Sequence, residues 1–442
     1  MDISEIVKRF EQEKIKFINL QFTDIAGEIK QVINPARDLQ DILQNGLGFD
    51  GSSARYVPVN QSDLVLKPDL ETLQILPWGR PENKTARFIC DVLDKDRVTP
   101  LDVDPRYILK KTIQDMRQEF GQSWDFVIAP EMEFFLLEID ERGNYIPHDR
   151  GTYFSIPPYD KETEFRKDLS RALDSMGILC EKNHHEAPNS KHEITFRSGD
   201  VLSIADATIT YKQVIKFFAA EKGLIASFMP KPFDWTYGCG MHVHVNLRDR
   251  EKNLNLFYDS EAEDHFSNIA RHFIAGILEH AKGLTGITNP SVNSYKRLVP
   301  GWEAPVYVSW GLTNRSVLLR IPVSNPEATR VECRNPDASC NPYLAFSAIL
   351  GAGLDGIRRS LLPPPPINEN IYEMSDQEKR KRQIENLPGN LNEALECLKK
   401  DTLIGDTLGS GLMKKFIEIK QKEWKEFSTH VHSWELEKYV NV

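Results

Sequence analysis

The sequence predicts an α+β protein of two unequal domains, a small β-rich one over residues 1–100 and a larger one over residues 101–442. Three observations carry this. Strand patterns crowd the first hundred residues. Asp104-Pro105 then opens a helix, after which strand-like and helical stretches alternate. Residues 367–442 read as polar helices, with no linker long enough to set off a third independent domain, although about 150 residues per domain would allow two or three in a chain of this length.

In chain order, residues 17–22 read as a strand, Thr23-Asp24-Ile25-Ala26-Gly27 as a turn and residues 28–33 as a returning strand. Asp50-Gly51-Ser52-Ser53 is a turn or loop, and residues 86–92 are a further strand. The boundary is expected near Thr99-Pro100-Leu101. Asp104 is an N-cap and Pro105 suits the first helical position, so a helix starts there and runs to Phe120, where Gly121 stops it. Further helices are expected over 161–176, 207–222, 264–282, 342–361 and 412–426. Strands are expected over 126–137, 193–196, 241–247, 316–321 and 330–334. Pro363-Pro364-Pro365-Pro366 marks a stiff exposed connector.

Composition narrows the function classes. At 40% hydrophobic and 27% charged, the chain is ordinary for a globular protein. A net charge of −10 argues against a nucleic-acid binder held by bulk electrostatics, yet leaves room for a local basic pocket. Apolar runs fall short of the roughly 18 residues of a membrane span. The start, Met1-Asp2-Ile3-Ser4-Glu5, has no apolar signal core. A soluble, cytoplasmic protein is therefore expected, with neither nucleic acid nor membrane as partner. Its six cysteines, none in a Cys-x-x-Cys pair, are expected as free thiols.

The chemistry lies in short strands carrying functional groups at i and i+2, positions that share a face. Glu131 and Glu133 do so inside a bulky apolar segment. Two carboxylates on one buried face repel each other and are costly to desolvate, which a divalent cation would resolve; a strand end with solvated acids is the alternative. His242 and His244 repeat the spacing, as a metal ligand and a phosphate contact or as hydrogen-bonded core histidines. Arg330, Glu332 and Arg334 form either a salt-bridge ladder or an anion-binding wall that includes a metal ligand. Glu186 and Glu193, each preceded by a histidine, read as further ligands or as an ordinary surface loop. Together, five acids and two histidines select Mg²⁺ or Mn²⁺ over Zn²⁺. More than three carboxylates suggest at least two ions, as used to clamp a phosphoryl group in transfer. Arg297, Arg315, Arg320, Arg330 and Arg334 share their stretch with only three acids, Glu303, Glu327 and Glu332, and make it locally positive. The reading from residues alone is a metal-dependent phosphoryl-transfer or carboxylate-activating enzyme.

These segments, in this order, resemble the bacterial and archaeal type I glutamine synthetases, in the subtype that is not adenylylated. The resemblance rests on Phe49-Asp50-Gly51-Ser52-Ser53, Pro130-Glu131-Met132-Glu133-Phe134-Phe135, His184-His185-Glu186 and Lys231-Pro232 leading to Gly238-Cys239-Gly240-Met241-His242. It continues through Asn289-Pro290, Asn293-Ser294-Tyr295-Lys296-Arg297, Asn314-Arg315-Ser316, Arg320-Ile321-Pro322 and Asn341-Pro342-Tyr343. It implies an N-terminal β-grasp domain and a catalytic domain with a mainly antiparallel curved sheet flanked by helices. The implied activity is ATP-dependent ligation of ammonia to the γ-carboxylate of glutamate through γ-glutamyl phosphate, with two or three Mg²⁺ or Mn²⁺ ions per site. By resemblance, Glu133, Glu186 and Glu193 hold one metal, and Glu131, His242 and Glu332 a second. His244, Asn246, Arg320 and Arg330 serve ATP, with Arg315 and Arg320 stabilising the transferring group. Arg297, Arg334 and Gly238 hold glutamate. Asp50, supported by Ser53 and Tyr153, deprotonates ammonium, and Glu303 closes over the site. A dodecamer of two hexameric rings is implied, with Asp50 supplied by a neighbouring subunit; a small effector or small regulatory protein is a further partner open to this class.

Departures from the family pattern are visible. Tyr237 stands where Asn is usual, Cys239 and Asn246 where Ser is usual, and Asn189-Ser190-Lys191 in place of Pro-Gly-Gln. They put substrate choice in question and keep two alternatives open, a γ-glutamyl–amine ligase acting on a methylamine or polyamine, and a non-catalytic nitrogen sensor.

Overall fold

The computed structural model describes residues 2–322 and 325–442. Among these residues the N-terminal part forms one sheet of six strands: β1 (Phe17–Thr23), β2 (Ile29–Pro35), β3 (Leu47–Asp50), β4 (Asp63–Pro68), β5 (Gln74–Ile75) and β6 (Thr85–Asp94). The order is β2-β1-β6-β4-β3, with β5 on β6. β1 and β6 run parallel and the other pairs antiparallel. The hairpin turns where the sequence predicts, at residues 24–28. Two helices there lie outside the strand-centred reading, Ile3–Gln12 and Leu39–Asn45. The first is readable in hindsight. Asp2 accepts from the Glu5 amide and Glu5 reaches back to the Asp2 amide, a capping box that satisfies otherwise orphaned donors.

The larger part is built on an eleven-stranded sheet. Its strands are β7 (Trp124–Ile139), β8 (Tyr145–Pro147), β9 (Cys180–His185), β10 (Lys191–Phe196), β11 (Gly199–Asp200), β12 (Ile225–Ser227), β13 (Met241–Asp249), β14 (Leu254–Asn255), β15 (Trp310–Leu312), β16 (Leu319–Ile321) and β17 (Val331–Cys333). The main path is β15-β16-β17-β13-β7-β10-β9, antiparallel except at β15–β16. The fold class expected from the sequence, α+β with a mainly antiparallel sheet flanked by helices, is the one observed.

Helix Pro105–Phe120 has its predicted limits, with the Asp104 carboxylate accepting from the Arg106 amide. The 207–222 helix starts earlier, at Val201, because Asp200 caps it through the Ser203 amide. The 264–282 helix divides at His280 into Asn268–Glu279 and Ala281–Thr288. His280 meets Asp401 at 2.9 Å and Asp355 at 3.2 Å there. The 316–321 strand shortens to Leu319–Ile321, since Ser316 instead donates to Asn314 in a turn. Helix Pro342–Arg358 is the buried centre of the helical layer. It crosses Asn268–Glu279 so closely that a Cβ on Gly276 would lie 2.1 Å from the Ala352 carbonyl oxygen, so only glycine fits.

Polar contacts join the two parts. Arg106, buried, bonds Asp69 and Asp206 at 2.8 Å each and also Asp91. Asn341 donates from Nδ2 to the carbonyls of Asp24 and Ile25, while its Oδ1 caps the central helix at Tyr343.

Candidate active site

Strand register assembles the site. Glu133 on β7 stands opposite Glu193 on β10, and Glu193 opposite His184 on β9. On the other side of β7, Glu131 faces His242 on β13. His244 then faces Glu332 on β17, and Glu332 faces Arg320 on β16. Residues opposed in an antiparallel pair have Cβ atoms about 4.5–5.5 Å apart, so pairing alone brings six strands' functional groups into one row. The row opens into a cavity of about 450 Å³, also lined by Tyr153, Gly238, Arg297, Glu303, Arg315, Arg330 and Arg334. An adjoining cavity of about 470 Å³ is lined by Asn246, Arg248, Phe196 and Ser198, and shares Glu131, Lys182, His244 and Arg330 with the first.

Two poles of metal-ligand type result. Donor atoms of Glu133, Glu186 and Glu193 lie within 4.8 Å of one another, as do those of Glu131, His244 and Glu332. At the second pole His242 Nδ1 flanks the carboxylates, 3.6 Å from Glu131 and 3.8 Å from Glu332. Arg330 Nε donates to His244 Nδ1 at 3.1 Å, which leaves the ring proton of a neutral His244 on Nε2. In that tautomer His244 is a donor, its Nε2 3.1 Å from Glu131 Oε1, and His242 is the second imidazole beside the carboxylates.

The electrostatics suit cations. Glu193 is pushed well above the usual carboxylate range by burial and by Glu131, Glu133 and Glu186. Burial, then Glu133, raises Glu186. Burial opposes ionisation of Glu332, but Arg334 first, then His242, His244 and Arg320, hold it at about 2. Burial is likewise outweighed at Glu133 by Lys191 and His242, and at Glu131 by the neighbouring imidazoles of His242 and His244. A pole in which some carboxylates are forced toward protonation is short of positive charge. Hard oxygen donors at this spacing therefore fit Mg²⁺ or Mn²⁺.

The expected glutamate-binding residues converge. Arg297 is buried, with its guanidinium fixed on the carbonyls of Asn335 (2.7 Å) and Arg334 (3.0 Å). Arg334 and Arg320 each pair with Glu332 at 2.5 Å. Tyr153 and Arg315 sit on the rim, where burial and Glu186 raise the Tyr153 phenol. Glu303 is exposed on a loop in which Gly301 (φ 85°) and Glu303 itself (φ 55°) take left-handed backbone. Tyr237 lies edge-on to Trp302 at 5.6 Å, beside that loop. Asp50 and Ser53 are not brought to the cavity of this chain. Asp50 ends β3 and Ser53 lies on the turn that follows, both exposed, and hydrogen bonds from Ser52, then Ser53, hold the Asp50 carboxyl at about 2.

Three titratable cavity residues were given no role in the sequence reading: Lys182, His184 and Lys191. The i, i+2 rule that selected the others would have found them, since Lys182 pairs with His184 on β9 and Lys191 with Glu193 on β10.

A β-sheet row of carboxylates in two poles, walled by arginines and continuous with a second cavity, defines a metal-dependent enzyme that handles phosphate and carboxylate groups. Residues 14–95 match the family model "Glutamine synthetase, beta-Grasp domain", and residues 102–439 match "Glutamine synthetase, catalytic domain". The chain belongs to the glutamine synthetase family. It is 48% identical over 444 aligned residues to the glutamine synthetase of Thermotoga maritima, covering 100% of both chains. It is 45% identical to that of Thermus thermophilus, covering 99% of this chain and 98% of the relative. Among solved structures it superposes on "Apo GmaS without ligand" with a TM-score of 0.88 at 30% identity, covering 99% of each chain. The Plasmodium falciparum glutamine synthetase shares the fold, with a TM-score of 0.87 at 24% identity and 99% coverage of each chain. The amine-ligase and sensor alternatives draw no support from the curated relatives, which carry the name glutamine synthetase at 41–48% identity.

Proposed function

We propose that the cavity is the active site of an ATP-dependent glutamate–ammonia ligase and that its residues act as follows. The single observation that carries this is the conjunction of two carboxylate poles and five arginines, Arg297, Arg315, Arg320, Arg330 and Arg334, in one cavity. A carboxylate oxygen is a poor leaving group until it is phosphorylated, so the reaction needs cations around both the phosphoryl group and the acyl oxygen. Glu133, Glu186 and Glu193 would hold one divalent ion, and Glu131, His242 and Glu332 another. Bound there, such ions neutralise charge on the triphosphate and on the group in transfer.

The chain's own groups do the rest. Arg297 and Arg334 clamp the glutamate carboxylates, and the close backbone at Gly238 receives its amino group. Arg315, Arg320 and Arg330 meet negative charge as it develops on the transferring phosphoryl. His244, through Nε2–H, and Asn246 hold ATP from the second cavity. Glu303 closes over the acyl phosphate and keeps water from it. Asp50, with Ser53 and Tyr153, takes the proton from ammonium. Its exposed turn makes it a weak base in a single chain, and enclosure by a neighbouring subunit would raise its basicity. We accordingly propose inter-subunit sites in a dodecamer of two hexameric rings, working in the cytoplasm and open to a small effector or small regulatory protein. The domain limits 1–100 and 101–442 are part of the same reading. Among the described residues, no helix is long and apolar enough to cross a membrane.

The test is ADP release with Mg²⁺ and glutamate, comparing ammonium with a panel of methylated amines and polyamines. Ammonium-dependent glutamine formation is expected. Turnover with amines but not ammonium would overturn the reading.

A further inference from the structure

The Glu133–Glu186–Glu193 pole already contains a cation of its own. Lys191 is buried, 4% exposed, and its Nζ lies 3.0 Å from Glu133 Oε1, 3.1 Å from the Gly238 carbonyl oxygen and 3.6 Å from Glu186 Oε2. Register explains the placement. Lys191 and Glu193 are two residues apart on β10, hence on one face, and Glu193 stands opposite Glu133. Glu133 is engaged at both oxygens, for Oε2 accepts from the Gly240 amide at 2.6 Å. An ammonium on Oε1 and an amide on Oε2 leave a metal to share Glu133 or to displace a donor. Glu193 is less provided for; the imidazole of His184, whose protonation burial and Lys182 disfavour, has its Nε2 3.6 Å away.

We propose that Lys191 is a resident counter-cation of this pole, competing with a divalent ion for Glu133 and Glu186, so that the pole loads metal at the expense of the Lys191 contacts. A fixed positive charge a few ångströms from a divalent ion in a poorly screened site repels it strongly. The same ammonium ties the pole to Gly238, so its release frees a backbone carbonyl beside Arg297. The proposal rests on the reading of this pole as a divalent-cation site.

The experiment counts bound Mn²⁺ by electron paramagnetic resonance and measures affinity by calorimetry, without substrates, on the assembled protein. It compares the parent with Lys191→Met and Lys191→Gln, and each with Glu193→Gln added. Circular dichroism and size-exclusion chromatography establish that each variant is folded. Both neutral variants are expected to bind Mn²⁺ at this pole at least about tenfold tighter than the parent. Glu193→Gln is expected to abolish that gain. Affinity unchanged or weakened in both neutral variants, or a gain that survives Glu193→Gln, overturns the role of Lys191 alone. Failure of the parent and every variant to bind Mn²⁺ overturns the metal-site reading as well.

Discussion

Gly238→Ala is the perturbation whose consequence is most directly worked from the structure. A Cβ at this position would lie 2.5 Å from the Pro230 carbonyl oxygen and 2.7 Å from Arg297 Cγ, where ordinary contact begins near 3.4 Å. Something must therefore yield by nearly 1 Å. The Pro230 carbonyl is held by the Cys239 amide at 2.7 Å, so the backbone at 238–239 must itself move away from Pro230, and Arg297, crowded by the same Cβ, must shift as well. Its guanidinium is positioned by the Asn335 and Arg334 carbonyls, bonds that a shift of that size would stretch. Overpacking of this kind costs about 1–3 kcal/mol of stability. Misplacing a substrate-holding group by 1 Å costs on the order of 100-fold in rate. Steady-state kinetics should show kcat/KM for glutamate falling about 30- to 100-fold while the KM for ATP stays within about threefold. A folded variant whose glutamate kcat/KM stays within about threefold of the parent would refute the reasoning.

Other perturbations test separate parts of the account. Glu133→Ala removes a carboxylate from one pole, and activity should fall at least about 100-fold while size-exclusion chromatography shows the parent assembly. Asn341→Ala deletes both the cap on the central helix and the contacts to the Asp24 and Ile25 carbonyls; it should cost about 1–3 kcal/mol, seen as a lower urea midpoint. Asp104 is pushed up to about 7 by burial, then by Asp91, so between roughly pH 4 and 7 the folded chain holds a proton that the unfolded chain releases. Its contribution thus favours folding less as pH rises through that window. The pH dependence of the melting temperature between pH 5 and 8 should flatten in Asp104→Asn; an unchanged slope would contradict this.

The parts of the fold and site legible in the sequence are those governed by local rules. Asp104-Pro105 fixed a helix start because a carboxylate beside free amides and a ring at the first helical position act within one turn. The i, i+2 spacing of Glu131 and Glu133, and of His242 and His244, marked faces correctly because strands alternate strictly. Those strands meet through register, which a single sequence does not reveal; the opposition of His244 to Glu332 joins residues nearly ninety positions apart. Lys191 obeys the same local rule, yet the sequence marks it only as a departure from the family pattern, because a lysine flanked by serine and histidine also reads as solvated surface. The Ile3–Gln12 and Leu39–Asn45 helices were lost beneath the neighbouring strand signal, since helices this short draw their stability from packing rather than propensity. The roles of Asp50 and Ser53 came from family resemblance alone, for nothing within one chain carries them to the cavity.

The central claim is that this site activates the glutamate γ-carboxylate by phosphorylating it. Glutamate carrying ¹⁸O in the γ-carboxylate, turned over with ATP, Mg²⁺ and ammonium, tests it directly. If γ-glutamyl phosphate forms and is displaced by ammonia, one labelled oxygen passes to inorganic phosphate for each glutamine made. Glutamine formed with phosphate free of label would contradict the account.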